Sequence, residues 1–372
     1  MAGPVQTAGQ ARLDEGLCRL AAALVPGGWL EAVEPLSPDD ASAATASATA
    51  KAEGYGAPLR LTVIDAAGRR RHLVFRTMAP NPFGHDRRAD RFDGLVLAYD
   101  GFGSIPGHVA ALDVGAIGPD GAPISLRGAG EPYLVTEFAA GRPYADDLRE
   151  VAARGAGALD LARCDALVDW LARLHGSPVD APPAWRRAVR DLVGHGEGIF
   201  GIVDGFGEEV PAAPPARLQA LEARALAWRW RLRPRAARLR RTHGDFHPFN
   251  LLFGEGTAFS LLDASRGGLG DPADDLVALT INYPFFALDR PGAWKGLGAL
   301  WQRAWRRYLA ASRDAGLLES VAPFLAWRAL VLCCPRFYPG LSPGGRDALL
   351  GLAERALDAP AFDPDWAAEL FA

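Results

Sequence analysis

"THGDFHPFNLLFGEGTAFSLLDAS", residues 242–265, places a His-Gly-Asp triplet, an Asn and a further Asp around two short apolar runs. The runs "NLLF" and "FSLLD" flank "GEGTA", and glycines on both sides of Glu255 suit the tight reversal of an antiparallel hairpin. A reversal centred between Gly256 and Thr257 sets Asn250 opposite Asp263, with cross-strand side chains about 5 Å apart. An amide oxygen and a carboxylate at that spacing can clamp a hard divalent cation. Mg2+ accepts a few such oxygens and completes its octahedron with water and phosphate oxygens. Asp245 lies just ahead, in a loop that Gly244 and Pro248 keep out of helix, and a carboxylate there can take the proton of an attacking hydroxyl. A base beside metal ligands is the equipment of phosphoryl transfer. A single Asp-x4-Asn standing alone is equally turn chemistry.

Outward from this stretch the texture differs on the two sides. Residues 12–25 have helical apolar spacing and stop at "PGG". "WLEAVEPL", "LRLTVID" and "RRHLVFRTM" alternate like strands of an antiparallel meander, and "TASATAKA" is a further strand candidate. "GHDRRADRFDGLVLAYDGF" reads as a helix with Asp86, Asp90 and Asp93 on one face. "PYLVTEF", residues 132–138, reads as a strand. Beyond the Gly/Pro connector "AAGRPYADDL" the chain turns helical, as in "CDALVDWLARLHG" and "APFLAWRALVLCC". The expected class is α+β: a small antiparallel β-sheet lobe with one helix, residues 1–136, and a larger mainly helical lobe, residues 137–372.

Composition narrows the function classes. With 372 residues, 49% hydrophobic and 23% charged, the chain is ordinary globular protein, and a net charge of -4 does not call for a polyanionic partner such as nucleic acid. The Arg-rich stretch 224–241 reads as a solvated helix face. No apolar run is long enough for a membrane span, the N-terminus lacks a signal-peptide pattern, and the four cysteines lack metal spacing, so a cytoplasmic protein is expected. His243 and His247 are four apart, but Gly244 and Pro248 break the helix that a zinc pair would need. Nothing in the sequence indicates an oligomeric state.

"HGDFHPFN", then "LLDAS", then "GDPADDL" resembles the aminoglycoside phosphotransferase and choline kinase family, a branch of the protein-kinase-like fold. "LVTEFAAGRPY" is similar to the family's interlobe hinge and "LARLHG" to the helix end beneath its catalytic loop. The likeness spans roughly residues 30 to 340 and is strongest between 133 and 280. It implies a bilobal kinase moving the γ-phosphate of ATP or GTP, with Mg2+, to a hydroxyl of a small molecule. Asp245 would be the base, Asn250 and Asp263 the metal ligands, and His243, Asp271 and Asp275 the supports of the loop. Arg76 would steady the phosphates, with Asp90 as its partner where the family usually has Glu. No G-x-G-x-x-G is present, so Ser42 in "SPDDASAA" or the turn "EGYG" would cover the phosphates, and Glu137, Phe138 and Ala139 would meet the purine edge. Arg266, Tyr283, Trp327, Arg336 and Tyr338 are candidates for the acceptor pocket. Ala264, Ser265 and Arg266 stand where relatives often have an aromatic and an acid, which points away from a polycationic acceptor. A nucleotide-binding pseudokinase is the competing expectation.

Overall fold

The computed structural model describes residues 8–36, 58–207, 209–264, 266 and 268–372. The chain divides into two compact units, Met1–Thr136 and Glu137–Ala372. A small β-rich unit and a larger helical one make up the α+β class expected above.

In the first unit, strands Trp29–Pro35, Leu59–Ile64 and Arg70–Phe75 form an antiparallel meander in that order. Leu61 and Val63 of the central strand are buried with Leu17, Ala21 and Val25 from the Ala8–Leu24 helix and its end. Alternation in "LRLTVI" therefore places its apolar face on that helix. Arg76 lies one residue beyond the third strand and is exposed, not within the strand as its pattern suggests. The following helix is Arg88–Phe102, so Asp86 falls outside it. Asp90 sits in the first turn, where its carboxylate accepts the Arg87 backbone N–H at 2.9 Å and pairs with the Arg87 guanidinium at 2.7 Å. An acid in a first turn satisfies orphan N–H groups, and this cap fixes where the helix begins.

Residues 132–138 are not a strand. Among the described residues they pair with no neighbour, and Tyr133 and Phe138 are 89% and 93% exposed. Alternation is compatible with extended backbone but becomes a strand only when another strand supplies the ladder. "TASATAKA", Ser42 and "EGYG" lie outside the described residues.

The second unit has one large core of helices. Helix Ala158–Leu174 lies on helix Trp294–Ser312, tied at its rim by Arg303 to Asp165 and Arg307 to Asp169 through two-pronged contacts of 2.5–2.7 Å. Helix Val321–Cys333 is buried along nearly its whole length and packs on Pro343–Asp358 and Pro272–Thr280. The Arg-rich stretch folds as helix Pro215–Leu232 and the segment after it. Its arginines reach acids of other elements: Arg224 to Asp358, Arg235 to Glu319, and Arg238 to Asp271 and Asp314. Trp228 is buried and donates to the Leu357 carbonyl. Among the described residues no helix is long and apolar enough to cross a membrane.

Candidate active site

The opening stretch forms the hairpin Leu251–Phe253 with Phe259–Leu261, but its register differs by one residue from the expectation. Leu251 pairs with Leu261 and Phe253 with Phe259, so the reversal centres on Gly256. Gly256 has φ +63, the left-handed conformation that a three-residue hairpin loop demands and glycine adopts without strain. Asn250 therefore stands opposite Leu262, whose N–H donates to the Asn250 carbonyl at 2.9 Å. Asp263 follows one residue later with φ 49, one of two non-glycine residues at positive φ among the described residues. Direct opposition of Asn250 and Asp263 is thus replaced by a ladder that ends at Leu262 and a left-handed bend at Asp263.

Ahead of the hairpin, the loop 243–250 is held from below by a buried carboxylate. Asp275 accepts the backbone N–H of His243 at 2.7 Å and of Gly244 at 2.8 Å. It also meets His175 Nε2 at 3.1 Å, while His175 Nδ1 lies 2.6 Å from the Tyr308 hydroxyl. With Nε2–H donating to the acid and Tyr308 donating to Nδ1, both ring nitrogens of His175 have a partner. Gly244 has φ +83, and a Cβ there would sit 3.2 Å from the Arg266 Cβ. The positive φ favours glycine there, and the added Cβ would in addition crowd Arg266. Asp271 accepts the Ala273 N–H at 3.0 Å, capping helix Pro272–Thr280, and takes both prongs of Arg238 at 2.7 and 2.8 Å.

The loop closes on itself through its own polar groups. The His247 N–H donates to the Asp245 carbonyl and the Asn250 N–H to the His247 carbonyl, each at 2.9 Å. His247 Nδ1 accepts the Phe249 N–H and caps the short turn Pro248–Asn250. Asn250 Nδ2 donates to the Asp245 carbonyl at 3.0 Å. His243 Nδ1 accepts the Asp245 N–H at 3.3 Å, so the two histidines serve different turns and form no metal pair. His243 and Asp263 both line a cavity of about 450 Å³, together with Trp170, Thr242 and Leu262.

Asp245 is only 7% exposed. Its Oδ1 accepts Arg328 Nη1 at 2.6 Å, and its Oδ2 lies 3.5 Å from His247 Nε2 and 3.8 Å from Arg266 Nε. Burial alone pushes its carboxyl up. The close approach of the His247 ring and the charges of Arg328, His247 and Arg266 outweigh burial and hold it well below the usual carboxylate range. Arg328 also donates through Nη2 to the Gly244 carbonyl and to Asp274 Oδ1, both at 3.0 Å. One guanidinium cannot compensate two carboxylates fully. Asp274 is pushed up to about 6, by burial first and then by the charge of Asp275, against the pull of Arg328.

A titration consequence follows. The native state binds the Asp274 proton more tightly than the unfolded chain does. This group's contribution to stability is fully present below the ordinary carboxylate range and is lost as pH rises through about 6. Asp274→Asn is expected to remove this group's contribution to any fall in Tm between about pH 4 and 7. Thermal unfolding across that range checks it.

The other candidates divide. Trp327 is buried beside the loop, with Arg328 Cζ 4.0 Å and Arg266 Cζ 4.9 Å from its ring, and it donates to the Glu197 carbonyl. The half-buried Tyr338 stacks edge-on against Phe285 at 5.0 Å, and its phenol is raised by burial and by the Asp245 charge. Tyr283 does not line a pocket: it is fully buried, and its hydroxyl meets Tyr144 and Cys164 in the helical core. It follows Asn282 at the start of a helix whose inner face carries it away from solvent. Arg336 is exposed and makes no hydrogen bond or ion pair among the described residues. Glu137 and Phe138 are exposed and Ala139 is half-buried.

Sequence reasoning missed Arg328, Asp274 and His175 as parts of this network. A signal for Arg328 existed: it is the sole charge in "APFLAWRALVLCC", and a charge inside an apolar helix must meet an acid. Arg149 was missed too. Its guanidinium lies 5.5 and 5.6 Å from the rings of Phe249 and Phe286, which join the loop to Phe285 and Tyr338.

Comparison with known proteins identifies a family for the chain. A family model described as "Phosphotransferase enzyme family" matches residues 99–311, more than half of the chain. No curated protein matches significantly. Among solved structures, the chain is similar to a glucosamine kinase in complex with glucosamine, ADP and inorganic phosphate, at 17% identity and TM-score 0.41 over 91% of this chain and 97% of that one. It is also similar to a macrolide 2'-phosphotransferase from Brachybacterium faecium, at 17% identity and TM-score 0.29 over 94% and 100%. Likenesses this distant add no weight, and the assignment rests on the family match. The chain belongs to the phosphotransferase enzyme family, a family of small-molecule kinases.

Proposed function

We propose that this chain transfers the γ-phosphoryl group of ATP or GTP, with Mg2+, to a hydroxyl of a small metabolite or antibiotic. One observation carries the reading: Asp245 is fixed at the mouth of a loop whose far end presents Asn250 and then Asp263. The Asn250 Nδ2 is engaged by the Asp245 carbonyl, and among the described contacts its Oδ1 accepts nothing. Asp263 is exposed and makes no hydrogen bond or ion pair among the described residues. Two hard oxygen donors suit Mg2+, which relies on phosphate and water for its other positions. No group of three His, Cys, Asp or Glu side chains able to hold a metal exists among the described residues, so a pair of donors is the set to consider. When bound, Mg2+ would neutralise phosphate charge.

Residues 1–136 serve in this reading as the nucleotide-covering lobe, with Arg76 on the phosphates and Asp90 at the start of the neighbouring helix. Residues 137–372 carry catalysis and the acceptor, and Glu137 to Ala139 offer backbone groups to the base. Ser42 is retained on the resemblance alone. Phe249, Phe285, Phe286 and Tyr338 offer ring faces to an acceptor. A cytoplasmic setting fits four free cysteines, of which Cys164, Cys333 and Cys334 are buried.

Release of ADP or GDP over a panel of hydroxylated amines, sugars and sugar acids tests the function. Transfer to at least one acceptor is expected. Binding of Mg-ATP with no transfer to any acceptor or to water would favour the scaffold instead. Asp263→Ala is expected to raise the Mg2+ needed for half-maximal turnover by about 100-fold, since even indirect supports of metal ligands are worth about 10–100-fold. Magnesium titration of the rate reads this, and an unchanged midpoint would remove Asp263 from the metal.

A further inference from the structure

We propose that Arg328 is the positioning residue of the transfer reaction: by holding one oxygen of Asp245, it presents the other to the acceptor hydroxyl. This rests on the phosphotransfer reading above. Arg328 is 5% exposed on a helix otherwise apolar at its core-facing positions. Its guanidinium is fixed on three sides. Nη1 binds Asp245 Oδ1 at 2.6 Å, and Nη2 binds the carbonyl of the preceding residue, Gly244, at 3.0 Å. Nη2 also reaches Asp274 Oδ1 at 3.0 Å, and the ring centroid of Trp327 lies 4.0 Å from Cζ.

Holding the side chain and the adjacent backbone together fixes the Asp245 rotamer against its own loop. Asp274 anchors the same guanidinium to helix Pro272–Thr280, the helix that also carries Asp275. One helix therefore braces the loop backbone directly and the reacting carboxylate through Arg328. A buried ion pair is a weak source of stability, because apolar groups of equal volume often serve as well. Its effect here is geometric. Oδ2 remains, 3.5 Å from His247 and 3.8 Å from Arg266, both longer than a good hydrogen bond.

In the transfer step the acceptor O–H proton passes to Oδ2 as its oxygen bonds the γ-phosphorus. The bond from that phosphorus to the β–γ bridging oxygen breaks, and the electron pair leaves with the nucleoside diphosphate. A loose transition state asks for orientation of the hydroxyl more than for a strong base, so a carboxylate tied to arginine is suited to it.

The test uses the full chain, with Mg-ATP and water as the acceptor, and calorimetry with Mg-ADP. Arg328→Lys keeps the charge but cannot grip Asp245 and Gly244 together. It is expected to lower kcat about 100-fold with Mg-ADP affinity within about twofold. Arg328→Ala should regain at least about tenfold in rate with added methylguanidinium, which a purely structural role would not show. Asp274→Asn keeps the Arg328–Asp245 contact and guards against misfolding of the first two, with an expected loss of about tenfold. Unchanged kcat per folded molecule in Arg328→Lys and Asp274→Asn overturns the proposal while leaving phosphotransfer intact. A wild-type chain that binds Mg-ATP but transfers its phosphoryl group neither to water nor to any acceptor of the panel overturns both.

Discussion

Asp245→Asn lowers kcat by about 1,000-fold while Mg-nucleotide affinity stays within about twofold, because a general base contributes about 10²–10⁴ in rate and little to ground-state binding. Asparagine preserves the shape of the side chain, and its amide oxygen can still accept from Arg328 Nη1 at the position of Oδ1. What it loses is the second oxygen as proton acceptor. The backbone contacts of residue 245, to His243, His247 and Asn250, do not involve the carboxylate. Steady-state rates and calorimetry on the same preparation separate the two quantities. A full loss of nucleotide binding would place Asp245 in a different role.

Asp275→Ala is expected to be the most damaging substitution for stability, by about 4 kcal/mol. It leaves the N–H groups of His243 and Gly244 and the imidazole of His175 buried without an acceptor, at about 1–3 kcal/mol for each lost partner, partly relieved by relaxation. For a unit the size of Glu137–Ala372 this lowers Tm by about 10 °C. Asp271→Ala should cost less, since Arg238 keeps Asp314 as a partner. Thermal unfolding of the two variants side by side checks the order. Equal shifts would mean that the loop does not depend on Asp275 as described.

Much of this arrangement was legible in the residues. The three-strand meander, the hairpin after the His-Gly-Asp triplet and the main helices all follow from periodicity and turn chemistry. The misreadings have physical causes. The hairpin register depends on whether the loop has an even or odd number of residues. "GEGTA" allows both, and only the left-handed Gly256 settles it. Asp86 shares helical spacing with Asp90, but spacing does not show where a cap will start the helix. Residues 132–138 alternate without a partner strand. Tyr283 looked like a pocket residue because aromatic side chains serve cores and pockets alike, and only packing decides between them. The clamp of Arg328 joins residues 83 positions apart, a separation no local pattern encodes, although the lone charge in its helix marked it as needing a partner.

The most direct measurement is a crystal structure of the full chain with Mg2+ and a non-hydrolysable ATP analogue. The account predicts a metal ion bonded at about 2.1 Å to Asn250 Oδ1 and to the Asp263 carboxylate. It also predicts the γ-phosphate facing Asp245 Oδ2, while Oδ1 stays on Arg328. A nucleotide bound with its metal held by other residues, and with Asp245 remote from the γ-phosphate, would contradict it.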